Sequence, residues 1–200
     1  MGRRTQAERT RATTGELIET ARRLFGRDGY AATSIDDIAR ESGLTKGAVY
    51  HHFSGKADVF RAVFVRQEER LAEVIAAAAA GAGDPWEGVR LGVRAFLRAC
   101  AGAATRQIVL LDGPAVLGWE GVREIEYEHT LNLLHQGLAA AAARGDIAPG
   151  DVTVRAHLIF GALCEGGMLI ARADDPDETL AAVLEQAEAL LAALSRPSAI

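Results

Sequence analysis

Apolar residues along most of the chain recur three or four positions apart, the spacing that places side chains on one face of an α-helix. One such stripe, which stops near Gly29, consists of Leu17, Ile18, Ala21, Leu24 and Phe25. We find no strand-like alternation of apolar and polar residues and no internal repeat in the sequence. The pattern predicts an all-α protein of about nine helices.

Caps and helix breakers predict where these helices begin and end. Thr13 with Glu16 forms a capping-box pattern for the first helix, although that helix could begin earlier. Ser54 is expected to cap a fourth helix running from about residue 56 to residue 80, which would be roughly 40 Å long at about 1.5 Å per residue. Asp84 and Pro85 have the types expected at the N-cap and first position of a fifth helix.

Breakers and caps also divide the second half of the chain into predicted helices. A shorter apolar segment over residues 108–117 is expected to bend or end at Gly113 and Pro114. A long seventh helix is expected over residues 119–144, ended by Gly145. Two further helices follow, and the last one begins at Asp175 and Pro176.

The segment TSIDDIARESGLTKGAVYHHFSGK, which starts at Thr33, predicts two short helices joined by a tight turn. Ser34 is placed as the N-cap of the first helix, and two Asp residues follow in its first turn, at the positive end of the helix dipole. Gly43 permits the left-handed backbone that ends this helix, and Thr45 can cap the next one two residues later. Helices joined in this way cross at a steep angle and form a helix-turn-helix.

The second of these short helices has two different faces. Val49 and Phe53 point towards the core, whereas the opposite face carries Lys46, Gly47, Tyr50 and His51. Polar helix faces usually do no more than contact solvent. An aromatic ring, a glycine and two donors on so short a helix are more typical of a helix that enters the major groove, because donors bind phosphate and a small residue permits close approach.

With these flanks, the segment resembles the N-terminal domain of the tetracycline-repressor (TetR) family of bacterial regulators. The resemblance covers roughly residues 9 to 65 and is carried by ARRLFGRDGYAATSIDDIA and GLTKGAVYHHFSGKADVF. It implies binding to double-stranded DNA, with Thr45, Lys46 and Gly47 nearest the base edges. The implied phosphate contacts are Tyr50, His51, Lys56 and either Thr33 or Ser34.

The charge of the chain is divided unevenly, in agreement with this interpretation. The net charge is −5, but residues 1–60 hold ten Lys and Arg against eight Asp and Glu, which leaves −7 for the remainder. Nucleic acid is therefore expected at the N-terminal end. We predict a basic arm over residues 1–12, a helix-turn-helix domain over 13–60, and a helical domain for effector binding and dimerisation over 61–200.

The last two helices have broad apolar faces for terminal elements. Part of each face must pack on its own subunit. Members of the TetR family pair through these helices into a four-helix bundle, so the resemblance implies a homodimer whose two helix-turn-helices bind a palindromic operator. The candidate dimerisation residues are Leu158, Ala162, Gly166, Leu180, Leu184, Ala187 and Leu191.

The family resemblance also implies a small-molecule effector that releases the protein from DNA. Candidate ligand contacts lie on predicted inward faces, and ordinary core packing is the alternative for every one of them: Phe96, Cys100, Leu111, Trp119, Tyr127, Leu131, His135, Phe160 and Cys164. Trp119, Tyr127 and His135 are the sharper candidates, because each has a polar atom that needs a partner if buried. Few charges fall on these faces, which favours a largely apolar effector.

A dimeric regulator with a filled core, controlled by a protein partner or by its abundance, is the alternative function. A closed and fully packed interior would favour that alternative, whereas a cavity of a few hundred Å³ would favour control by a ligand.

Other classes of protein find little support in the sequence. We find no GxSxG, P-loop or HExxH motif, so an enzyme is not expected. Glu126 and His129 are spaced as a metal pair on one helix, but without a second pair we expect neither a metal nor a cofactor. Cys100 and Cys164 have no metal-site spacing and fit a reduced compartment, with a redox pair as the less favoured alternative. We expect a cytoplasmic protein, since we find neither a membrane-length apolar run nor the apolar core of a signal peptide.

Overall fold

A computed structural model describes residues 6–195. This part of the chain contains ten helical segments and no β-strand. They are α1 (Gln6–Ala32), α2 (Ile35–Glu41), α3 (Lys46–His52), α4 (Lys56–Ala79), α5 (Pro85–Cys100), a π-helix (Thr105–Asp112), α6 (Gly113–Glu128), α7 (Thr130–Arg144), α8 (Val152–Arg172) and α9 (Pro176–Ala192). The all-α prediction is confirmed.

Helices α1 to α3 and the start of α4 pack around a small aromatic core. The rings of Phe25 and Phe60 meet edge to face with 5.3 Å between centroids, and Tyr30 packs on Phe60 at 5.2 Å. Val49 and Phe53 point into this core, as their spacing predicts. Burial of Val49 turns the opposite face of α3 towards solvent.

The structure decides one helix start that the sequence left open and corrects another. Helix α1 begins at Gln6, ahead of the capping pattern at Thr13, so the segment predicted as a basic arm over residues 1–12 is helical from residue 6 onwards. Ser54 does not cap α4, whose N-cap is Gly55. Instead, the Asp58 carboxylate reaches back and accepts a hydrogen bond from the Ser54 backbone N–H at 3.0 Å.

The predicted long helix over residues 119–144 is also wrong. It is divided at His129, whose φ of −121° and ψ of −95° are not helical. The break places the Thr130 hydroxyl 2.7 Å from a carboxylate oxygen of Glu68, to which it donates a hydrogen bond. Helix α6 is also interrupted at Gly118, where φ is 71°, immediately before the predicted start at residue 119. The break at His129 changes how the side chains of α6 and α7 are oriented relative to each other.

Helix α5 lies at the centre of the larger C-terminal part, in contact with α4, α7, α8, α9 and the π-helix. Helix α4 belongs to both parts, because Phe60 packs with α1 whereas Leu71 is buried further along the same helix. Helix α8 is the one helix among the described residues that is long and apolar enough to cross a membrane. It packs here against α5, α7 and α9, and Phe160 and Ile170 are buried.

Candidate nucleic-acid interface and effector cavity

The start of α2 is held by a reciprocal capping box. The Ser34 hydroxyl accepts a hydrogen bond from the Asp37 N–H at 3.1 Å, and the Asp37 carboxylate accepts one from the Ser34 N–H at 3.1 Å. Hydrogen bonds from Ser34 and Arg40 lower the pKa of Asp37 to about 2. Ser34 is therefore the N-cap that the sequence predicts, and it lies exposed at the N-terminus of α2.

Helix α3 presents its predicted polar face to solvent. Thr45 caps it by accepting a hydrogen bond from the Ala48 N–H at 3.2 Å. Lys46, Gly47 and His51 are exposed, and the Tyr50 side chain is 50% exposed. An exposed helix face with donors around a glycine can approach a DNA groove closely.

Lys46 forms an ion pair within the protein. Its Nζ lies 2.9 Å from a carboxylate oxygen of Asp36 at the start of α2. This hydrogen-bonded ion pair raises the pKa of Lys46. Both side chains are more than half exposed, so the pair is weak and can open when a base or phosphate offers a better acceptor.

Two of the predicted phosphate contacts have structural roles that sequence patterns did not reveal. The Thr33 side chain is 3% exposed, and its hydroxyl donates a hydrogen bond to the Gly29 carbonyl at 2.9 Å. A phosphate contact through the Thr33 hydroxyl is therefore wrong. Of the predicted pair, only Ser34 presents its side chain at the surface.

Lys56 fastens the junction between α1 and α2. Its Nζ donates hydrogen bonds to the carbonyls of Tyr30, at 2.9 Å, and Thr33, at 3.1 Å. The same ammonium lies 4.1 Å from the centroid of the Tyr30 ring. An ammonium has three N–H groups, so one donor of Lys56 is left for a phosphate.

A cavity of about 460 Å³ lies between α4, α5, α7 and α8. Its walls are mainly aliphatic, and they include Ile75, Val89, Val93, Leu133, Leu134 and Leu163. Two of the predicted ligand contacts, Phe96 and Phe160, also line it. Asp84, Thr130 and Arg144 supply the polar groups that are expected to orient a ligand in such a cavity.

A second cavity, of about 140 Å³, lies between α4, the π-helix, α6 and α8 and shares Phe96 with the first. Cys164 lines it, and so does Trp119, although the Trp119 side chain is 69% exposed. Its polar residues include Glu68, Arg123 and Glu126.

Five predicted ligand contacts line neither of the two cavities. Cys100 and Leu131 are buried in the core, and Leu111 is half-buried against it. Tyr127 is 59% exposed and stacks on His157, so its predicted inward face is wrong. His135 lies 3.3 Å from the Thr153 hydroxyl in an exposed contact. The break at His129 explains why Tyr127 and His135 do not share the inward face expected of one unbroken helix. It does not bear on Cys100 and Leu111, which lie on α5 and the π-helix.

Two carboxylates are buried where few charges were expected. Glu68 is 1% exposed and Glu126 is 6% exposed. Burial raises the pKa of Glu68 to about 8, against the hydrogen bond from Thr130, and raises the pKa of Glu126 to about 7. The interior is therefore more polar than the sequence pattern indicates.

Both cysteines are free thiols held in apolar surroundings. Burial raises the pKa of Cys100 to about 12 and the pKa of Cys164 further still. Such thiols carry little of the reactive thiolate form near neutral pH. Within residues 6–195, no cluster of His, Cys, Asp and Glu side chains has the arrangement of a metal site.

Helices α8 and α9 form an open groove of about 1060 Å³ with an apolar lining. Leu158 is 70% exposed, Leu190 is 64% exposed, and Ala162 is exposed beside them. Leu180 and Leu184 are half-buried against their own core. Gly166, Ala187 and Leu191 are buried within the subunit and form part of the groove floor. Only a small part of each residue is accessible to a partner chain.

Comparisons with known proteins match both parts of the chain. A family model for bacterial regulatory proteins of the tetR family matches residues 17–63, and one for a tetracyclin repressor-like C-terminal domain matches residues 86–194. The HTH-type transcriptional regulator SrpR of Pseudomonas putida is 29% identical over 172 residues, which are 83% of this chain and 80% of that protein.

Solved structures show the same similarity. A TetR-family transcriptional regulator from Pectobacterium atrosepticum has a TM-score of 0.86 at 33% identity, covering 97% of this chain and 99% of that one. The regulator FadR from Bacillus subtilis, in complex with stearoyl-CoA, has a TM-score of 0.73 at 22% identity, covering 88% of this chain and 96% of that one. At that identity the similarity concerns the fold alone.

Proposed function

The chain belongs to the TetR family of DNA-binding transcriptional regulators, and on that premise we propose that it represses transcription until a small molecule releases it from its operator. It is a regulator and not an enzyme. The single observation that carries the proposal is that α4 connects the exposed helix-turn-helix to the wall of a cavity of about 460 Å³. A cavity of that size is in the range that holds small ligands, and a filled core would lack it.

The proposed contacts with DNA divide into two groups. Ser34, Tyr50, His51 and Lys56 bind phosphates and set the position of the protein on the duplex. Thr45, Lys46 and Gly47, at the start of α3, lie nearest the base edges in the major groove. The exposure of α3 supports this assignment. The exposed ion pair of Lys46 with Asp36 also supports it, because DNA can displace Asp36 from Lys46.

A homodimer formed through α8 and α9 would supply two copies of the helix-turn-helix, which we call the two heads. The exposed leucines Leu158, Leu169 and Leu190 support this interface, because an apolar patch on the side of a groove is typical of a surface covered by another protein chain. Two heads related by a two-fold axis bind half-sites that are about 34–36 Å apart, or further, on a palindrome. Such a dimer acts on DNA in the cytoplasm.

Effector binding is proposed to act through the helices that line the cavity. A ligand between α4 and α5 that moves α4 also moves Lys56 at its start, and Lys56 holds the junction of α1 and α2. The two heads of a dimer then no longer match the spacing of the operator. An effector with a largely apolar body fits the aliphatic walls of the cavity.

Selection of random DNA duplexes with the purified protein tests the first part of this proposal, and a palindrome is the expected result. Compounds are then screened for release of labelled operator. Val93→Phe, which fills the larger cavity from α5, should keep operator affinity and lose the release. If the effector released the operator from the variant at the same effector concentration as from the wild type, the effector would have to bind elsewhere.

A further inference from the structure

The two buried carboxylates, Glu68 and Glu126, take no part in the proposed DNA contacts or in the proposed dimer interface. We infer that the effector is an organic cation, such as a protonated amine on an apolar body, and that its positive group binds between these two carboxylates. This inference rests on the proposed control by an effector and adds the chemical class of that effector.

Glu126 is an incompletely satisfied acid that lines the smaller cavity. Its side chain is more than nine-tenths buried, and its Oε2 oxygen has no hydrogen-bond partner. Burial of a carboxylate oxygen that accepts no hydrogen bond is costly, and buried polar groups in folded proteins nearly always have hydrogen-bond partners. Such an oxygen beside a cavity is therefore a position where a ligand can donate a hydrogen bond.

Arg123 shows which chemistry this position accepts. Its Nη1 lies 3.2 Å from Glu126 Oε2, although the geometry is not that of a hydrogen bond. The guanidinium carbon lies 4.5 Å from the centroid of the Trp119 ring and 5.3 Å from that of Phe160. A cation between aromatic faces and a carboxylate is a favourable arrangement. The Arg123 side chain is 21% exposed and can move outwards, which would let a ligand cation take its place.

The two cavities are neighbours, and the inference places one ligand across both of them. Phe96 lines each of them, and Thr130 lines the larger one while donating a hydrogen bond to Glu68, which lines the smaller one. The larger cavity is aliphatic and suits an apolar body. The smaller one, at about 140 Å³, is close to the size of a cavity that holds benzene, about 150 Å³, and suits a compact charged group.

Proton release on binding follows from the same arrangement. Burial raises the pKa of Glu68 to about 8 and that of Glu126 to about 7, so the free protein holds a proton on one or both near neutral pH. A bound cation stabilises the charged carboxylates and lowers both pKa values. Protons then leave the site, and the measured binding enthalpy depends on the ionisation enthalpy of the buffer.

A charge series on one molecular body tests the inference. The full-length protein is titrated calorimetrically with 4-phenylbutylamine, 4-phenylbutanol and 4-phenylbutyrate, which are a cation, a neutral molecule and an anion of similar size. We expect the amine to bind at least about tenfold more tightly than the alcohol, with proton release. A hydrogen bond between charged groups is stronger than one to a neutral group by about that factor in affinity.

Glu126→Gln and Glu68→Gln keep the shape of each side chain and remove its charge. Both should weaken binding of the amine by about tenfold and leave the alcohol unchanged. Glu120→Gln is the matched control, because Glu120 is exposed and lies on α6, the helix that carries Glu126. This variant should bind the amine as the wild type does. If a Gln variant does not fold, the charge series and the proton release of the wild type decide the question.

Three results would overturn the inference: equal affinity for the amine and the alcohol, no binding of the amine at all, or undiminished binding of the amine to Glu126→Gln. None of them affects the palindrome selection or the Val93→Phe release assay. Failure of a cationic effector is therefore distinguishable from failure of the proposed repressor function.

Discussion

The carboxylate of Asp112 accepts a hydrogen bond from the backbone N–H of Tyr30 at 2.8 Å, which joins the end of the π-helix to the end of α1. Gln107 Nε2 donates to the same Asp112 oxygen at 3.0 Å. The carbonyl of Tyr30 in turn accepts a hydrogen bond from Lys56. The π-helix lines the smaller cavity, so this series of contacts connects the cavity with the start of the helix-turn-helix.

Replacement of Asp112 by Ala should weaken this connection. The Tyr30 N–H loses its acceptor, and an unpaired, partly buried donor costs about 1–3 kcal/mol of unfolding free energy. Urea unfolding measures that loss, and hydrogen exchange at the Tyr30 amide should become faster. Asp112→Asn retains an acceptor oxygen and should recover most of the stability. Equal stability of the Ala variant and the wild type would show that the contact contributes nothing.

Lys56→Ala should affect both stability and DNA binding. Two carbonyls lose their donor, so we expect the unfolding free energy to fall by about 1–3 kcal/mol. If Lys56 also contacts a phosphate, the slope of log affinity against log salt flattens by about one unit for every DNA sequence. An unchanged slope combined with reduced stability would leave Lys56 with its structural role alone.

Lys46→Ala is the matched comparison for Lys56→Ala. The ion pair of Lys46 with Asp36 is exposed, so its loss should change stability by less than about 1 kcal/mol. Because Lys46 lies at the start of α3, we expect its replacement to alter sequence preference more than general affinity. Binding to a panel of operators with single base-pair changes measures this. A uniform loss across the panel would instead assign Lys46 to a phosphate.

Tyr50→Phe tests the phosphate contact at the middle of α3. The hydroxyl of this half-exposed side chain is the only group that the change removes. Loss of one hydrogen bond to a charged phosphate should weaken binding to all sequences by about 1.5–3 kcal/mol. Fluorescence anisotropy with operator and with unrelated duplexes measures both affinities. An effect restricted to the operator would contradict the assignment.

A charge placed in the groove of α8 and α9 should separate the proposed dimer. Leu158→Glu and Leu190→Glu each put a carboxylate on a side chain that is more than 60% exposed in the subunit, so the isolated fold tolerates it. We expect a monomer by light scattering and at least about tenfold weaker operator binding, because one head is lost. Val74→Glu changes an exposed apolar residue of α4 outside the groove and should remain dimeric.

The buried acid Glu68 makes a prediction about pH. Its pKa is about 8 in the folded protein and near the ordinary value of 4.5 in the unfolded chain. Between these values the folded state binds more protons than the unfolded state. The contribution of Glu68 to stability is therefore fully present below about pH 4.5, falls as the pH rises, and levels off above about pH 8.

Glu68→Gln should remove much of this decline while retaining an oxygen for the Thr130 hydroxyl. We expect its unfolding free energy to lose roughly 1–3 kcal/mol less than that of the wild type between pH 5 and pH 8, as measured by urea unfolding at a series of pH values. Glu120→Gln should follow the wild type. Parallel curves for Glu68→Gln and the wild type would contradict a raised pKa at this residue.

Local interactions are what made the helix-turn-helix readable from the sequence. The capping box of Ser34 and Asp37 and the cap at Thr45 each join residues no more than three apart. The turn also follows local chemistry, since Gly43 adopts a φ of 67°. The role of Lys56 was not readable, because Lys56 binds a carbonyl of Tyr30 that is 26 positions away.

The same distinction explains the effector region. The sequence by itself determined the helical class, the burial of Val49, the exposed polar face of α3 and the apolar stripes of α8 and α9, because each depends on periodicity within one helix. Only the tertiary structure decided that Tyr127 faces outwards and that Glu68 and Glu126 share a cavity. Each residue turns a helix by about 100°, so the break at His129, inside the predicted helix, resets which side of the following residues faces the core. A pocket is made by the packing of several helices, and no single helix encodes it.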